Sequence, residues 1–474
     1  MTSELWRLPA DALRGMIVRK EVSPVEVTAA VLARADVAQA KLNCFVTLCH
    51  EEAMRAARAA EAAVMRGGAL PPLLGVPYHV KDLVNTAGVR TTYGSLLHEH
   101  NVPAEDAVAA ARMKAAGGIL IGKTTTPEFG HKSLTDGPAF GRTANAWDRT
   151  RTAGGSSGGA AAAIAAGAAP IGIATDGGGS TRVPAACNGL VGLKQSNGVI
   201  PHSQVADAFG NHTYVTPLSR TVMDTALMLQ AMAGEDASDP WSIGVPVPDF
   251  VAAARPEGDL RGRRVLWSMT LGNEVVARDV RVAVERSLRV LESLGATLEE
   301  LREAPPSMYE AWQVINHGTW RARFADMVAR HGNEMTPSLV RQVQQAADWT
   351  AEDYQKAMFT RAALFRWFQG KLAAFDHIVT PTLSRTALPI EQDLFDPIEI
   401  DGSVVGELRT SLFPYTMPFN ITGHPAISLP CGFATDGLPI GLHVVGRFRD
   451  EPSLLRTAAL YERADSHLDR WPDL

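Results

Sequence analysis

Two glycine–serine clusters on either side of an alanine run constrain this chain more than any other feature. Gly154-Gly155-Ser156-Ser157-Gly158-Gly159 leads straight into the Ala-rich residues 160–169. After a short apolar run at 171–175 comes Asp176-Gly177-Gly178-Gly179-Ser180-Thr181-Arg182-Val183-Pro184. Gly/Ser runs are linker material when they join domains. Here the alanines have high helix propensity, so the first cluster sits at a helix N-terminus, where backbone N–H groups are unpaired and partly positive. The second cluster places three glycines after a strand and just before a serine. Glycine tolerates the geometry that turns successive N–H groups into one concavity. Such a nest beside a hydroxyl is the layout that an oxyanion hole and a nucleophile require. The concentration is local. Residues 154–192 hold 11 of the 41 glycines, and the rest of the chain carries glycine at the ordinary frequency of about 7%.

Around this segment helices and strands alternate. Ser23-Pro24-Val25-Glu26 supplies an N-cap, an N1 proline and a capping-box glutamate. Val27, Val31 and Ala35 then recur at helical spacing. Helices are expected over 51–66, 106–116 and 221–232 (the last amphipathic), and the stretch 278–375 reads as mainly helical. Short apolar strands are expected at 75–80, 119–121, 171–175, 190–193 and 378–380. Residues 426–429 and 439–445 read as a strand pair around the turn Thr435-Asp436-Gly437. This alternation argues for α/β layers, with helices covering a mixed sheet. Length alone suggests about three domains at ~150 residues each, yet no Pro/Ser-rich linker divides the 474 residues and no internal repeat is visible.

Composition narrows the function classes. With 45 basic and 51 acidic residues, the net charge of −6 gives no global reason to bind nucleic acid or an anionic membrane. The four cysteines, Cys44, Cys49, Cys187 and Cys431, form no C-x-x-C pair and have no histidine at zinc-finger spacing. Free thiols in a reducing compartment are expected. The N-terminal residues MTSELWRLPADALRG show neither a basic region nor an apolar core of a secretory signal. No run is apolar enough to span a bilayer, and a cytoplasmic location is expected.

Two motifs mislead. Gly117-Gly-Ile-Leu-Ile-Gly122-Lys123-Thr124 matches the phosphate-binding loop pattern. Its interior is Ile-Leu-Ile, a strand rather than a loop, and Thr-Thr-Thr-Pro127 opens the required helix poorly. Residues 154–158 match the G-x-S-x-G nucleophile elbow, but an elbow needs a hydrophobic strand before it. The actual lead-in, 147–152, is polar and carries two arginines. A serine nucleophile also needs a base, and no histidine is close to either cluster. Lys81, after a strand and beside Asp82, is the lysine candidate.

These pieces together closely resemble the amidase signature family. The matching segments are Gly75-Val-Pro-Tyr-His-Val-Lys81-Asp82, Gly122-Lys-Thr-Thr-Thr-Pro-Glu128, the two Gly/Ser clusters and Gly189-Leu-Val-Gly-Leu-Lys194. Later come Leu218-Ser-Arg-Thr-Val-Met-Asp224, Pro418-Phe-Asn-Ile-Thr-Gly-His-Pro-Ala426 and Gly437-Leu-Pro-Ile-Gly-Leu-His443. The resemblance implies one large α/β domain over 1–474, a mixed central β-sheet covered on both faces by α-helices. Its core motifs fall in 75–200, and a variable helical region at about 300–375 surrounds the substrate pocket. It further implies a Ser–cisSer–Lys triad: Ser180 as nucleophile, Ser156 after a cis peptide bond as proton relay, and Lys81 as base with a pKa lowered by desolvation. Backbone N–H groups of Gly177, Gly178, Gly179 and Ser180 would hold the oxyanion. Ser157, Asp176 and Arg182 would hold the two loops together, and the Gly130 backbone would face the substrate. No metal or cofactor is implied. The expected substrate is a small-molecule amide, carbamate or ester, with no nucleic-acid or membrane partner, and the expected state a monomer or homodimer. The alternative is an amidotransferase subunit, or a non-catalytic partner protein that reuses the fold.

The chain departs from the family pattern in places. Gly177 stands where a larger residue is usual, which would loosen the hole or admit a bulkier group near the carbonyl. Cys187-Asn188 and His443 also differ, and packing roles are expected for both. Residues 195–202, Gln-Ser-Asn-Gly-Val-Ile-Pro-His, differ from the amidotransferase branch at the corresponding stretch. Trp312, Trp320, Trp349 and Trp367, with Tyr309, Tyr354 and Phe365 nearby, either pack helices or form an aromatic binding wall. The second option favours an aryl or hydrophobic substrate.

Overall fold

The computed structural model describes residues 2–273 and 275–474. One sheet of eleven strands organises them. In chain order these are β1 (Phe45–Leu48), β2 (Pro77–Lys81), β3 (Ile119–Thr124), β4 (Ile171–Asp176), β5 (Val191–Lys194), β6 (Tyr214–Ser219), β7 (Arg264–Trp267), β8 (Thr297–Glu300), β9 (His377–Pro381), β10 (Ala426–Phe433) and β11 (Pro439–Gly446). Their order across the sheet is β1-β3-β2-β4-β6-β5-β10-β11-β9-β7-β8. Strand β2 pairs in parallel with β3 and β4, while β6 runs antiparallel to both β4 and β5, so the sheet is mixed. Central strands are buried along their whole length, as in β2, β6 and β11. Covering helices on both faces leave no solvent-facing side, so these strands lack a regular apolar/polar alternation.

The molecule is a single large α/β domain with helices flanking this sheet. Helix α1 (Pro24–Leu42) opens as expected, with Ser23 and Glu26 closing a capping box. Helix α2 (Gly158–Ala165) is the alanine run, and every residue in it is buried. Helix α3 (Arg182–Asn188) follows the second glycine cluster, and α4 (Tyr309–His331) and α5 (Met417–Thr422) reach the same region from later in the chain. The four cysteines are free and buried. No helix among the described residues is long and apolar enough to cross a membrane.

Some elements differ from the sequence reading. Strands β1, β6, β7 and β8 carry no clear local signal. Strand β8 interrupts the stretch expected to be mainly helical, because Thr-Leu-Glu-Glu is a mostly exposed edge strand without an apolar face. The helix Val222–Met232 is buried on more than one side, with Asp224 and Thr225 inside beside Met228 and Leu229, so it is not the simple amphipathic helix expected. The phosphate-loop lookalike is indeed strand, β3. Its Lys123 is buried, donating to the Val84 carbonyl and to Thr86 Oγ1 and Thr91 Oγ1 at 3.0 and 2.8 Å. It ties down the turn after β2 and faces no phosphate site.

Candidate active site

Parallel strands β2 and β4 end side by side, and this brings Lys81 next to Thr175. Lys81 Nζ lies 2.7 Å from Ser156 Oγ, 2.9 Å from Ser157 Oγ and 2.8 Å from Thr175 Oγ1. The side chain is fully buried. Burial pulls its pKa well below the usual 10.5, and the nearby Asp176 charge opposes this only in part. A neutral amine has two N–H bonds and one lone pair, which suits three hydroxyl neighbours: it donates to two and accepts from one. Ser157 directs its own proton to the Thr175 carbonyl at 3.1 Å and therefore accepts from Lys81. Thr175 gave no signal in the sequence beyond its place at the end of a strand.

Ser156 follows a cis peptide bond with Gly155. The turn that presents it is packed tightly against the 133–135 segment. Thr135 Oγ1 donates to the Gly154 carbonyl at 2.8 Å and accepts from the Gly158 N–H at 3.0 Å. No hydrophobic strand leads into this turn, so the nucleophile-elbow reading fails on structure as it does on sequence. The Ser157 N–H donates to the Ser180 carbonyl at 3.1 Å and joins the two glycine clusters. Gly130, at φ +70°, presents bare backbone here. A Cβ built on it would lie 3.4 Å from Ser156 Oγ and 2.7 Å from Leu83 Cδ1.

The nest at 177–180 is aimed by its carbonyls. In a trans peptide the C=O and the following N–H point opposite ways, so fixing a carbonyl also fixes the direction of the next N–H. The Asp176 carbonyl accepts from Asn420 Nδ2 at 3.0 Å. The Gly177 carbonyl accepts from Trp312 Nε1 at 3.2 Å, and that of Gly178 from Thr416 Oγ1 at 2.7 Å. The Gly179 carbonyl accepts from the Val183 N–H at 2.7 Å. Among the described residues, the N–H groups of Gly177, Gly178 and Ser180 have no protein acceptor, whereas that of Gly179 donates to Asp176 Oδ1 at 2.7 Å. The Gly179 N–H, one of the four expected oxyanion donors, therefore holds Asp176.

Asp176 and Arg182 form the buried anchor of this loop. Two hydrogen bonds of 3.0 Å join them, and the carboxylate also accepts from Asn420 Nδ2 at 2.9 Å. Burial alone would raise the Asp176 pKa, but the charge and hydrogen bonds of Arg182 and Asn420 outweigh it and hold it well below the usual carboxylate range. Arg182 Nη1 donates to His443 Nε2 at 3.0 Å and to the Thr416 carbonyl at 3.0 Å. His443 thus does more than fill space, because it accepts from the arginine, and burial keeps it neutral.

Ser156, Ser180 and the nest open onto a cavity of about 670 Å³, within the range of small-molecule sites. Its lining includes the aromatic side chains of Tyr93, Phe129, Trp312, Trp320 and Phe324. Trp312, Asn316, Trp320 and Phe324 recur at i+4 on α4 and form one face of that helix. The aromatic cluster seen in the sequence therefore divides. Trp312 and Trp320 line the cavity, whereas Trp349 stacks behind it on His317 and Trp367 packs edge-on against Phe368. Tyr309 stacks on Trp312, and Phe365 packs against His424 and Phe448. Tyr354 lies in a small apolar cluster beside α4. Asn316, Thr416 and Arg409 are site residues that the sequence reading did not single out.

Comparison with known proteins agrees with this architecture. The Amidase family model matches residues 26–455. An acylamidase of Rhodococcus erythropolis is 36% identical over 472 residues, covering 98% of this chain and 97% of that protein. A glutamyl-tRNA(Gln) amidotransferase subunit of Roseiflexus sp. (strain RS-1) is 35% identical over 494 residues and covers 99% of both. Among solved structures, a bacterial aryl acylamidase of the amidase signature enzymes superposes with a TM-score of 0.89 at 28% identity, covering 96% of each chain. A 6-aminohexanoate cyclic dimer hydrolase gives 0.87 at 26%, covering 99% of each. On the whole-chain match and the shared fold, the chain belongs to the amidase signature family of enzymes acting on C–N bonds.

Proposed function

We propose that this protein is a cofactor-independent amidohydrolase that works through a Ser180 acyl-enzyme. The observation that carries the reading is Lys81, a buried amine among three hydroxyls, in a site where the N–H groups of Gly177, Gly178 and Ser180 have no acceptor among the described residues. Ser180 Oγ attacks the substrate carbonyl carbon and gives its proton to Ser156, whose own proton passes to the Lys81 lone pair. The N–H groups of Gly177, Gly178 and Ser180 stabilise the oxyanion. The tetrahedral intermediate collapses, and the Lys81–Ser156 pair returns the proton to the leaving amine. Water then attacks the acyl ester by the reverse route and releases the acid. The aromatic wall supports an aryl or hydrophobic amide as substrate, with carbamates and esters as further candidates. Gly177 leaves room beside the reacting carbonyl, since a Cβ there would meet only the Thr213 side chain.

Ser180→Ala is expected to abolish labelling by a fluorophosphonate probe, and persistent labelling refutes Ser180 as nucleophile. Lys81→Ala is expected to remove nearly all turnover, and retained activity points to another base. The likeness to an amidotransferase component supports a second reading, in which the chain acts only with a partner. Hydrolysis of a simple anilide by the isolated chain would exclude it.

A further inference from the structure

The charge lining the cavity is one-sided. Lys132, Arg323 and Arg409 line it, and among the described residues no Asp or Glu does. Lys132 is paired with Asp136 at 2.9 Å. Arg323 lies at the exposed rim, over the Phe324 ring. Arg409 is different. Only 4% of it is exposed, and among the described residues it forms no ion pair. Its Nη2 donates to the His131 carbonyl at 2.8 Å, and its guanidinium packs over the Trp312 ring at 4.9 Å. The Tyr309 hydroxyl hydrogen-bonds to it, and the exposed Glu407, 3.4 Å from that hydroxyl, acts on it through its charge without a direct ion pair. The imidazoles of His131 and His317, the other titratable groups beside it, are kept neutral by burial.

A guanidinium carries five N–H donors in a planar fork suited to a carboxylate. Burying that charge without an anionic partner is costly. This buried cation, without a direct ion-pair partner among the described residues, sits in the wall of the catalytic cavity, where a substrate can complete its hydrogen bonding. We infer that Arg409 recognises a carboxylate carried by the substrate, so that the preferred substrate is an aryl or hydrophobic amide bearing a free carboxylate group. This rests on the amidohydrolase reading above. Trp312, with Arg409 on its face and Gly177 at its Nε1, sets the spacing between the two ends of such a substrate.

The test uses two matched pairs of anilides. Succinic acid mono-4-nitroanilide against 4-methylpentanoyl 4-nitroanilide places the carboxylate on the acyl half. N-Butyryl-4-aminobenzoate against N-butyryl-4-isopropylaniline places it on the amine half. In one pair the wild-type enzyme is expected to favour the carboxylate substrate in kcat/KM by about tenfold or more, the effect of a charge-assisted hydrogen bond. Arg409→Met should collapse that ratio, mainly through KM, and Arg409→Lys should restore part of it. The pair that responds identifies the half that carries the carboxylate. Equal rates within both pairs, or a preference unchanged in Arg409→Met, overturns the proposal. Should Arg409→Met fail to fold, protection of wild-type Ser180 from the fluorophosphonate decides. Protection by a carboxylate anilide at lower concentration than by its neutral partner supports the proposal, and equal protection overturns it. Hydrolysis of the neutral anilides without any preference leaves the amidohydrolase reading standing and sinks only the role of Arg409. No hydrolysis of any of the four, with no labelling of Ser180, overturns both.

Discussion

Replacing the Trp312 indole with its benzothiophene isostere, introduced by stop-codon suppression, removes one N–H and leaves the ring in place. That N–H holds the Gly177 carbonyl, and in the proposed mechanism this orients the Gly178 N–H toward the developing oxyanion. At 3.2 Å it lies at the long end of the N–H···O range. Its net worth is therefore taken from the lower half of the usual span, about 0.5–1 kcal/mol. Only the transition state carries full negative charge at this point, so the loss should fall on kcat, by about two- to fivefold. It should stay far below the ~10²-fold expected for deleting an oxyanion donor outright, because the Gly178 N–H remains and is only less well aimed. Acylation and deacylation pass through the same hole, so the effect appears whichever step limits turnover. The assay is the initial rate of anilide hydrolysis across substrate concentration. An unchanged kcat, or a loss confined to KM, refutes the idea that Trp312 positions the nest and leaves it only a wall residue.

Three further outcomes are expected. Lys81 must be neutral to act, so activity is present above its pKa and lost as pH falls through it. Since burial moves that pKa well below 10.5, the kcat/KM profile should already be level in the mildly alkaline range, and a limb centred near 10.5 contradicts the assignment. Gly130→Ala should lower kcat/KM by about 10²-fold, the scale of an ångström-level displacement, because its Cβ would meet Leu83 and crowd Ser156. Steady-state kinetics with a folded-state control checks this. Asp176→Asn strips the counter-charge from fully buried Arg182 and should cost about 3–5 kcal/mol in urea unfolding, the range for breaking a buried pair.

The sequence exposes the proposed reacting residues better than what aims them. Ser156, Ser180 and Lys81 are legible because glycine clusters and a strand end constrain the backbone around them, and each of these signals is local. Trp312, Thr416 and Asn420 come from 130 or more positions away, and a tryptophan on a helix face reads the same whether it packs a core or holds a carbonyl. The Gly179 N–H illustrates the opposite failure. Four consecutive N–H groups look equivalent in the sequence, and only the position of the Asp176 carboxylate shows that one of them is already used. Arg409 lies in a four-residue helix without a motif, and its significance arises only from its burial in the cavity wall without a direct ion pair among the described residues. Among the strands, β8 was hidden because its residues suit an exposed edge rather than a core.

Under the proposed mechanism, the dependence of Lys81 on burial makes chemical reactivity a property of the folded state alone. In an extended chain its amine would be an ordinary solvated ammonium, 75 positions from Ser156, and Ser180 would be as inert as any other serine. The proposed machinery would therefore be inactive while only part of the sheet exists, because β2 and β4 pair to bury the amine. Labelling of Ser180 can therefore serve as a molecular reporter of assembly. Across a urea titration the labelled fraction should fall with the loss of tertiary structure, and refolding should restore it in the same cooperative step.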